Sequence, residues 1–316
     1  MIAALLLATL VAAASPPPAP GAPIEEDVHQ NSLVGEFARP PDPGRHAAVI
    51  VLGGFNGGIP AGAFDFARLG YSTFALAYFG AGPLPKGIDQ IPVETVSHAI
   101  DWLAANPEVD ASRIAVVGIS DGAALALLAA ALDPRIKAVA VVSPTAYVWF
   151  APVFDGGYVR SSWTAGKVQL TFIEPDPTAV AALSAVYQKG GEYAFRDLYD
   201  ASLSAAPAST VATATIPVER IGGPILCVAG DDDREWDSAG SCATIAARRK
   251  AAHRDDRDQV TIERGAGHAL SIEGRPTPDV LSAGKLQLRM GGTPDANARA
   301  AADERARVLT FLSRSL

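Results

Sequence analysis

The distribution of apolar residues along the chain predicts a parallel sheet with helices on both faces. Short, continuous apolar runs bounded by Gly or Pro are typical of strands that are buried on both sides. Six such runs occur from His46 onward, at residues 46–52, 72–77, 114–117, 138–142, 224–229 and 260–262. Because these runs alternate with segments of helical character, they favour an α/β fold with a mostly parallel, twisted sheet.

The segments between these runs carry the helical signals. Apolar residues at helical spacing, or Ala- and Leu-rich runs, predict helices at residues 61–69, 93–105, 122–131, 238–250 and 297–315. In the second of these, Val96, Ile100 and Leu103 share one side, and the helix is expected to end before Asn106-Pro107. Strands and helices together predict one α/β domain over residues 31–316, which is within the size of a single large domain.

The alternation stops between residues 144 and 218, which we interpret as an insertion into this domain. Half of the aromatic residues of the chain lie in this segment, namely Tyr147, Trp149, Phe150, Phe154, Tyr158, Trp163, Phe172, Tyr187, Tyr193, Phe195 and Tyr199. A long insertion after a strand often forms a cap over the site. We expect some of these rings to line a pocket, and the alternative is that they only hold the insertion together.

The beginning of the chain predicts export. The apolar run from Ile2 to Ala14 has the length of a signal-peptide core and is short for a membrane span. Residues 12–14 offer a small-residue cleavage site, and the Pro- and Ala-rich residues 15–30 are interpreted as a flexible leader. We therefore expect a signal peptide at residues 1–14, a secreted or periplasmic protein, and folded structure from about Leu33. The alternative is an apolar helix that packs on the body.

The net charge of the chain argues against two classes of binding partner. The formal net charge is -8 and no basic patch is evident, which argues against nucleic-acid binding and against docking to anionic membranes. No stable membrane insertion is expected once the leader is cleaved.

The two cysteines are assigned to different elements, Cys227 to a buried strand and Cys242 to the next helix. A strand and a helix that pack side by side are often separated by more than disulfide reach. Two unpaired buried thiols are therefore favoured over a pair.

The segment Gly118–Gly122 is a G-x-S-x-G motif in an informative context. An apolar β-rich run precedes it and an Ala- and Leu-rich run follows it. A strand–turn–helix elbow of this kind holds its nucleophile in a strained, exposed conformation, and the flanking glycines avoid clashes there. The motif predicts Ser120 as a nucleophile. The alternative is a glycine-rich turn with an incidental serine.

A serine hydroxyl needs a base to take its proton, and His268 is the best placed. It follows the short strand 260–262 in a loop of small residues, Gly265–Ala269. The remaining histidines precede the core, lie on an amphipathic helix or lie in a charged segment: His29, His46, His98 and His253.

The acid that orients this base is expected directly after the strand 224–229, in Gly230–Asp233. The G-x-x-D spacing favours Asp233, with Asp232 as the next candidate, and its role would be to hold the imidazole tautomer and stabilise the imidazolium. The remaining aspartates of the region are Asp231 and Asp237. The alternative role for Asp231 or Asp232 is to cap the next helix or turn. Because no histidine or ligand spacing accompanies the cluster, we expect no metal and no organic cofactor.

Stabilising an oxyanion requires two main-chain donors. One is expected from the N–H of Asp121, the residue after the nucleophile. The other is expected from the Gly-rich loop at residues 53–58, with the Phe55 N–H favoured and Gly54 next. This loop lacks the spacing of a phosphate-binding loop.

A series of motifs in a fixed order carries a family resemblance from about His46 to the C terminus. They are VLGGFNGG, LPKGID, GISDGAALAL, PVERIGGPILCVAGDDDREWDS, GAGHAL and MGGTPDANARAAADERARVLTFL. The chain resembles the C-terminal catalytic domain of the acyl-CoA thioesterase and bile acid-CoA:amino acid N-acyltransferase family, within the α/β-hydrolase superfamily and similar to dienelactone hydrolases. The resemblance implies a nucleophile, acid and base at Ser120, Asp233 and His268. It departs from the family at Asp121, where a basic or small residue is common.

These observations predict a serine hydrolase that cleaves acyl thioesters or carboxylic esters, with a small-molecule substrate, through an acyl-Ser120 intermediate. The alternative is an acyl-CoA:amine (amino acid) N-acyltransferase. That branch of the family typically has Cys as its nucleophile, and a Ser in its place favours hydrolysis. A peptidase, a dienelactone-type hydrolase and a non-catalytic binding protein on the same fold are the other hypotheses.

Overall fold

A large mixed sheet forms the centre of the protein in a computed structural model that describes residues 21–30, 32–55, 57–60, 65–152, 158–268 and 275–316. In chain order, the strands are β1 (Ile24–Gln30), β2 (Leu33–Arg39), β3 (His46–Leu52), β4 (Ser72–Ala77), β5 (Ile91–Pro92), β6 (Val109–Ile119), β7 (Ile136–Val142), β8 (Trp163–Ala165), β9 (Val168–Gln169), β10 (Gly191–Tyr193), β11 (Ile225–Gly230), β12 (Gln259–Glu263), β13 (Val280–Ala283) and β14 (Leu286–Arg289). The helices are α1 (Glu94–Ala105), α2 (Asp121–Leu132), α3 (Pro177–Lys189), α4 (Phe195–Ala205), α5 (Ala208–Ala214), α6 (Ser238–Ala251) and α7 (Pro294–Ser315).

The main sheet has eight strands in the order β1-β2-β4-β3-β6-β7-β11-β12 within the described residues. Only β2 runs against its neighbours, and every other adjacent pair is parallel. Each of the six predicted apolar runs forms part of one of these strands, except that Pro224 lies directly before β11. The prediction of a mostly parallel sheet is therefore confirmed.

Burial on both faces explains why the strand sequences are continuously apolar. In β3, Ile50 and Leu52 pack into the core on the side of α1 and α2, whereas Val49 and Val51 pack on the side of α7. Helix α2 is buried along almost its whole length, and this suits its Ala- and Leu-rich sequence. On the other face, α7 contributes Phe311 and Leu312, both almost fully buried.

The segment between β7 and β11 forms its own small body of helices and short strands. Strand β8 pairs with β5 on one side and with β9 on the other, while α3, α4 and α5 pack around a separate aromatic core. The buried members of that core are Trp149, Phe150, Ile173, Leu183, Tyr193, Leu198, Tyr199, Ala214 and Trp236. Most of the described rings of the insertion therefore hold it together. Phe154 lies outside the described residues.

A hairpin that the hydrophobic pattern did not predict follows the loop of His268. Strands β13 and β14 pair antiparallel, and β14 also pairs with β10 of the insertion. Four-residue strands with mainly exposed or half-buried residues carry no period-2 signal. The hairpin joins the insertion to the segment that follows His268.

The expectation of a leader up to residue 30, with folded structure only from about Leu33, is wrong at its end, because Ile24–Gln30 form strand β1. Residues 1–20, including the predicted signal peptide, lie outside the described residues. In β1 only Val28 is buried, so its sequence, IEEDVHQ, has no apolar pattern. The strand is an edge strand, and it is held by main-chain pairing with all seven residues of β2.

The expectation of two free thiols is wrong, since Cys227 and Cys242 form a disulfide with their Cα atoms 5.8 Å apart. That separation lies within normal disulfide geometry. The start of α6 carries only small side chains, at residues 238–241, which allows the helix to approach β11 closely. Spacing in the sequence did not reveal this approach.

The first predicted helix lies only partly within the described residues. Of the helix predicted at residues 61–69, the described part contains a 3-10 turn at Ala67–Leu69, and residues 61–64 lie outside the described residues.

Within the part of the chain that the structure describes, no helix combines the length and apolar character needed to cross a membrane.

Candidate active site

Ser120 lies on a sharp turn between β6 and α2. Its φ of 56° and ψ of -121° are rare for a residue with a side chain, and its N–H donates to the Val142 carbonyl (2.9 Å). Glycine is required on both sides: a Cβ at Gly118 would collide with the main chain at Gly122, and a Cβ at Gly122 would collide with the Gly53 carbonyl. These contacts, within the motif and with the neighbouring β3, hold Ser120 in the elbow that the motif predicted.

His268 reaches Ser120 from the loop after β12. Its Nε2 is 2.9 Å from the Ser120 Oγ, and its Nδ1 is 2.8 Å from the Asp233 Oδ2. Ser120, His268 and Asp233 expose 6%, 3% and 0% of their surface, so this series is shielded from bulk water. The structure thus brings together the three residues that the sequence nominated, at the carboxyl ends of β6, β11 and β12.

Asp233 is held in place by main-chain donors. The N–H groups of Glu235 and Trp236 donate to its Oδ1 (2.9 and 3.2 Å), which leaves Oδ2 for the imidazole. Burial lowers the pKa of His268, but the nearby carboxyl groups, foremost Asp233, outweigh it and raise that pKa above its usual value. The arrangement stabilises an imidazolium, which is the species formed when a base takes a proton from serine.

The other aspartates of the cluster have different partners. Asp231 accepts a hydrogen bond from the Gly265 N–H (2.5 Å), and Asp232 accepts one from the Gly292 N–H (3.0 Å). Asp237, rather than either of them, caps α6 by accepting from the Gly240 N–H (3.1 Å). Among the residues that the structure describes, no group of three or more His, Cys, Asp or Glu side chains is arranged to hold a metal ion.

Two supporting residues were missed by sequence reasoning. Asn297 of α7 is 1% exposed, and its Oδ1 accepts from the Gly267 N–H (2.9 Å), directly before His268. Arg196 of α4 donates to the Asp233 carbonyl (3.0 Å) and pairs with Asp237 (3.1 Å). Asn297 lies in a motif that the resemblance included, but no local signal marks either residue.

Trp236 connects the site to the insertion. Its ring meets the His268 ring edge to face, with centroids 5.1 Å apart, and its Nε1 donates to the Ser143 carbonyl (3.0 Å). On its other side it contacts Tyr199, with ring centroids 5.5 Å apart. The aromatic core of the insertion therefore extends to the catalytic histidine candidate.

The predicted oxyanion donors lie on either side of Ser120. A Cβ at Gly54 would be only 3.0 Å from the Ser120 Cβ, so the loop after β3 passes directly beside the serine. The Tyr78 hydroxyl fixes this loop by donating to the Gly53 carbonyl (2.7 Å). The Phe55 N–H has no hydrogen-bond partner among the described residues, and Asn56 lies outside them. The donor roles of Asp121, Phe55 and Gly54 stay predictions.

Two further carboxyl groups lie next to this site, and both are half-buried. Burial raises the pKa of Asp121 to about 6, against the opposing effects of His268 and of the main-chain N–H of Asp121 itself. Burial also raises the pKa of Glu235, to about 8; His268 opposes this rise, while Asp233 and Asp121 add to it. At neutral pH, Glu235 is therefore mostly protonated and Asp121 mostly ionised.

Comparison with curated proteins gives matches over most of the chain. The acyl-coenzyme A thioesterase 6 of Mus musculus is 27% identical over 281 residues, which cover 88% of this chain and 62% of that protein. The mitochondrial acyl-coenzyme A thioesterase 2 of Mus musculus is 28% identical over 283 residues, covering 88% of this chain and 57% of that protein. The chain thus spans less than two thirds of the length of these relatives.

A solved structure supports the fold independently. A dienelactone hydrolase-like promiscuous phosphotriesterase from metagenomic libraries superposes with a TM-score of 0.55 at 16% identity, over 93% of this chain and 99% of that one. At this identity the likeness concerns the fold alone, which is that of the α/β-hydrolases. The family model described as "BAAT / Acyl-CoA thioester hydrolase C terminal" matches residues 91–316, which include β6 to α7 and all three residues of the hydrogen-bonded series. The chain therefore belongs to the BAAT / acyl-CoA thioester hydrolase C-terminal family of hydrolases.

Proposed function

We propose that this protein is a serine hydrolase that cleaves acyl thioesters or carboxylic esters through an acyl-Ser120 intermediate. The observation that carries the proposal is the buried series from the Ser120 Oγ through His268 to Asp233, with distances of 2.9 and 2.8 Å. These are the distances at which proton transfer between nucleophile and base occurs. The thioesterase relatives support a thioester as one substrate class.

The proposed reaction has two steps. The Ser120 Oγ attacks the acyl carbonyl while its proton passes to the His268 Nε2, and the resulting oxyanion accepts hydrogen bonds from the Asp121 and Phe55 N–H groups. The imidazolium then protonates the departing thiol or alcohol, which leaves the acyl group on Ser120. In the second step His268 takes a proton from water, the water oxygen attacks the ester, and the carboxylic acid departs as Ser120 regains its proton. Asp233 orients the imidazole through its Oδ2 in both steps.

Acyl transfer to an amine is the second candidate, because the family also includes the BAAT branch. The two functions share the acyl-Ser120 intermediate and differ only in what attacks it. Adding glycine or another small amine to the assay separates them. An acyltransferase would yield mainly the amide, whereas a hydrolase would yield mainly the free acid.

The experiment that tests the proposal combines covalent labelling with turnover. A fluorophosphonate probe should add to Ser120, as located by peptide mass spectrometry. The protein should hydrolyse nitrophenyl esters and acyl-CoA thioesters of some chain length. Ser120→Ala should abolish both results, while Ser313→Ala, on the exposed side of α7, should change neither. Labelling at another residue, or full activity in Ser120→Ala, would overturn the proposal.

We also propose that the protein is exported. The apolar run at residues 2–14 and the Cys227–Cys242 disulfide support this, because disulfides persist mainly in oxidising compartments. Expression of the full chain in a bacterial host, followed by fractionation and N-terminal sequencing, tests it. The expected product is a periplasmic or secreted protein that has lost its first residues and has no free thiol. A cytoplasmic, uncleaved product would contradict the proposal.

A further inference from the structure

The loop Gly265–His268, which we call the base loop, is held to helix α7 by one buried side chain. Asn297 lies in the first turn of α7 and is 1% exposed. Its Oδ1 accepts a hydrogen bond from the Gly267 N–H (2.9 Å), while its Nδ2 donates to the Gly291 carbonyl (3.2 Å) and to the Thr277 carbonyl (3.1 Å). A single amide thus joins three segments of main chain, and one of them ends at the proposed base.

The segment Gly291–Gly292 lies between the base loop and the acid turn, Gly230–Asp233. The Asp232 carboxylate accepts from the Gly292 N–H (3.0 Å), and the Asp232 N–H donates to the Ala266 carbonyl (2.9 Å). Gly292 has a φ of 74°, and a Cβ at this position would collide with the Asn297 Oδ1. The Asn297 amide therefore occupies the space of a missing side chain at the point where the two loops meet α7.

These contacts fix the main chain from which the imidazole extends. The His268 N–H donates to the Met290 carbonyl (2.8 Å), directly before the same segment. From this position the ring reaches the Ser120 Oγ at 2.9 Å and the Asp233 Oδ2 at 2.8 Å. A loop displacement of about 1 Å would lengthen one of these bonds beyond hydrogen-bond range, and a misplacement of that size can cost about 10²-fold in rate. The catalytic geometry therefore depends on how precisely the base loop is held.

The Asn297 side chain does not serve its own helix. The N-cap of α7 is Thr293, whose Oγ1 accepts from the Ala296 N–H (3.2 Å). Within the described residues, all three hydrogen bonds of the Asn297 amide go to main-chain groups outside α7. Because the amide is buried, its loss would leave the Gly267 N–H and two carbonyl groups without this partner. The residue therefore acts on the loops rather than on the helix.

We propose that Asn297 is a positioning residue, which holds the base loop so that the His268 imidazole lies between Ser120 and Asp233. The inference rests on the proposed function, because it concerns how the base of that reaction is presented. Asn297 acts through the main chain of Gly267, and its side chain makes no hydrogen bond to the three catalytic side chains among the described residues. Its loss should therefore lower kcat and leave KM nearly unchanged.

Two variants test the inference with a nitrophenyl ester that the parent protein hydrolyses. Asn297→Ala should lower kcat by about 10²-fold and slow fluorophosphonate labelling of Ser120 to a similar extent, while KM changes by less than about threefold. Asn297→Asp keeps an acceptor for the Gly267 N–H but has no N–H group for the two carbonyls. Its kcat should lie about tenfold below that of the parent protein and above that of Asn297→Ala.

A spectroscopic measurement separates positioning from a general loss of structure. The proton between the His268 Nδ1 and the Asp233 Oδ2 should give a resonance far downfield in the proton NMR spectrum, and Asp233→Asn, which lacks the carboxylate, identifies it. In Asn297→Ala this resonance should move upfield or vanish although the protein is folded.

Two controls remove hydrogen bonds at the opposite end of the sheet. Asn106→Ala removes an amide whose Oδ1 accepts from the Glu108 N–H (2.9 Å) after α1. Arg249→Met removes a buried side chain that donates to the Ile221 and Gly223 carbonyls. Both variants should keep the parent kcat per folded molecule and the downfield resonance, even though Arg249→Met unfolds at a lower urea concentration.

The outcomes distinguish this inference from the proposed function. Parent-like kcat, labelling and downfield resonance in folded Asn297→Ala would overturn the inference and leave the hydrolase proposal intact. If Asn297→Ala does not fold, a parent-like kcat in Asn297→Asp would overturn it instead. An equal loss of kcat per folded molecule in Arg249→Met would also overturn it, because the effect would then follow stability alone. Absence of labelling and turnover in the parent protein would overturn the proposed function, and this inference with it.

Discussion

Carboxyl groups at the amino-terminal ends of the sheet strands and those directly beside the catalytic residues differ in their partners. At the amino-terminal edge, carboxylates are matched to arginines: Asp133 pairs with Arg135 (2.7 Å), and Asp258 pairs with Arg249 (2.7 Å). At the carboxyl-terminal edge, Asp121 and Glu235 lack such partners among the described residues. The pKa of Asp133 is lowered, because hydrogen bonds from Arg135 outweigh the effect of burial, whereas the pKa values of Asp121 and Glu235 are raised.

The difference separates structural from functional charge. Removal of one partner from a buried pair leaves an uncompensated charge and is strongly destabilising, whereas a carboxyl group with a raised pKa in a cleft is a candidate for a functional role. The same residue type therefore has two roles, set by the presence or absence of a guanidinium. Three predictions test this contrast, in order of decreasing expected effect.

Replacing the carboxylate that contacts the base should have the largest effect. Asp233→Asn should lower kcat by about 10³- to 10⁴-fold, because an amide no longer stabilises the imidazolium or its tautomer. Steady-state hydrolysis of a nitrophenyl ester measures this loss. Asp232→Asn, which affects a neighbouring carboxylate with other partners, should cost far less. Equal losses in the two variants would refute the assignment of the acid to Asp233.

Breaking a charge pair at the amino-terminal edge should affect stability rather than catalysis. Arg249 is 1% exposed and donates to Asp258 and to the Ile221 and Gly223 carbonyls. Arg249→Met should lower the free energy of unfolding by about 3–5 kcal/mol, because Asp258 and these acceptors lose their donor. Urea denaturation measures the change, and activity per folded molecule should persist.

A neighbouring pair serves as the control for that prediction. Arg248 forms an ion pair with Glu219 in which both side chains are one-third exposed (33% each). Arg248→Met should cost less than about 1 kcal/mol, as partly exposed pairs usually do. A cost equal to that of Arg249→Met would show that burial is not what distinguishes the two pairs.

A buried carboxyl group near the carboxyl-terminal end of β12 should make stability depend on pH. Glu304 of α7 is fully buried, neither of its oxygens has a hydrogen-bond partner among the described residues, and burial, followed by the nearby Glu263, raises its pKa well above 4.5. The group is neutral in the folded state, so its contribution is complete below the unfolded pKa of about 4.5 and declines as pH rises toward the folded pKa.

Glu304→Gln should remove that decline. We expect the variant to gain about 1–2 kcal/mol relative to the parent protein at pH 8 compared with pH 4.5, as measured by urea unfolding at both pH values. The exposed Glu192, which pairs with Arg289, provides the control, and Glu192→Gln should show no such gain. A pH-independent difference for Glu304→Gln would contradict the prediction.

Local sequence determined the six parallel strands of the main sheet, from β3 to β12, and the candidate catalytic residues. Strands covered on both faces must be apolar throughout, so β3, β6 and β11 were evident without any knowledge of their neighbours. The elbow was equally evident, since Gly118 and Gly122 are required by contacts within a few residues and by the strand alongside. His268 and Asp233 were nominated because the fold orders its functional loops along the chain.

Tertiary structure alone decided the features that depend on distant segments. The disulfide depends on how closely α6 approaches β11, and β1 depends on main-chain pairing with β2 rather than on its own side chains. Asn297 and Arg196 act through hydrogen bonds to the main chain of remote loops, and such bonds leave no periodic pattern in the sequence. Burial of a strand and the need for glycine in a tight turn can be inferred from neighbouring residues in the sequence. The partner of a cysteine, of an edge strand or of a charged side chain depends on contacts between distant segments, which exist only in the folded chain.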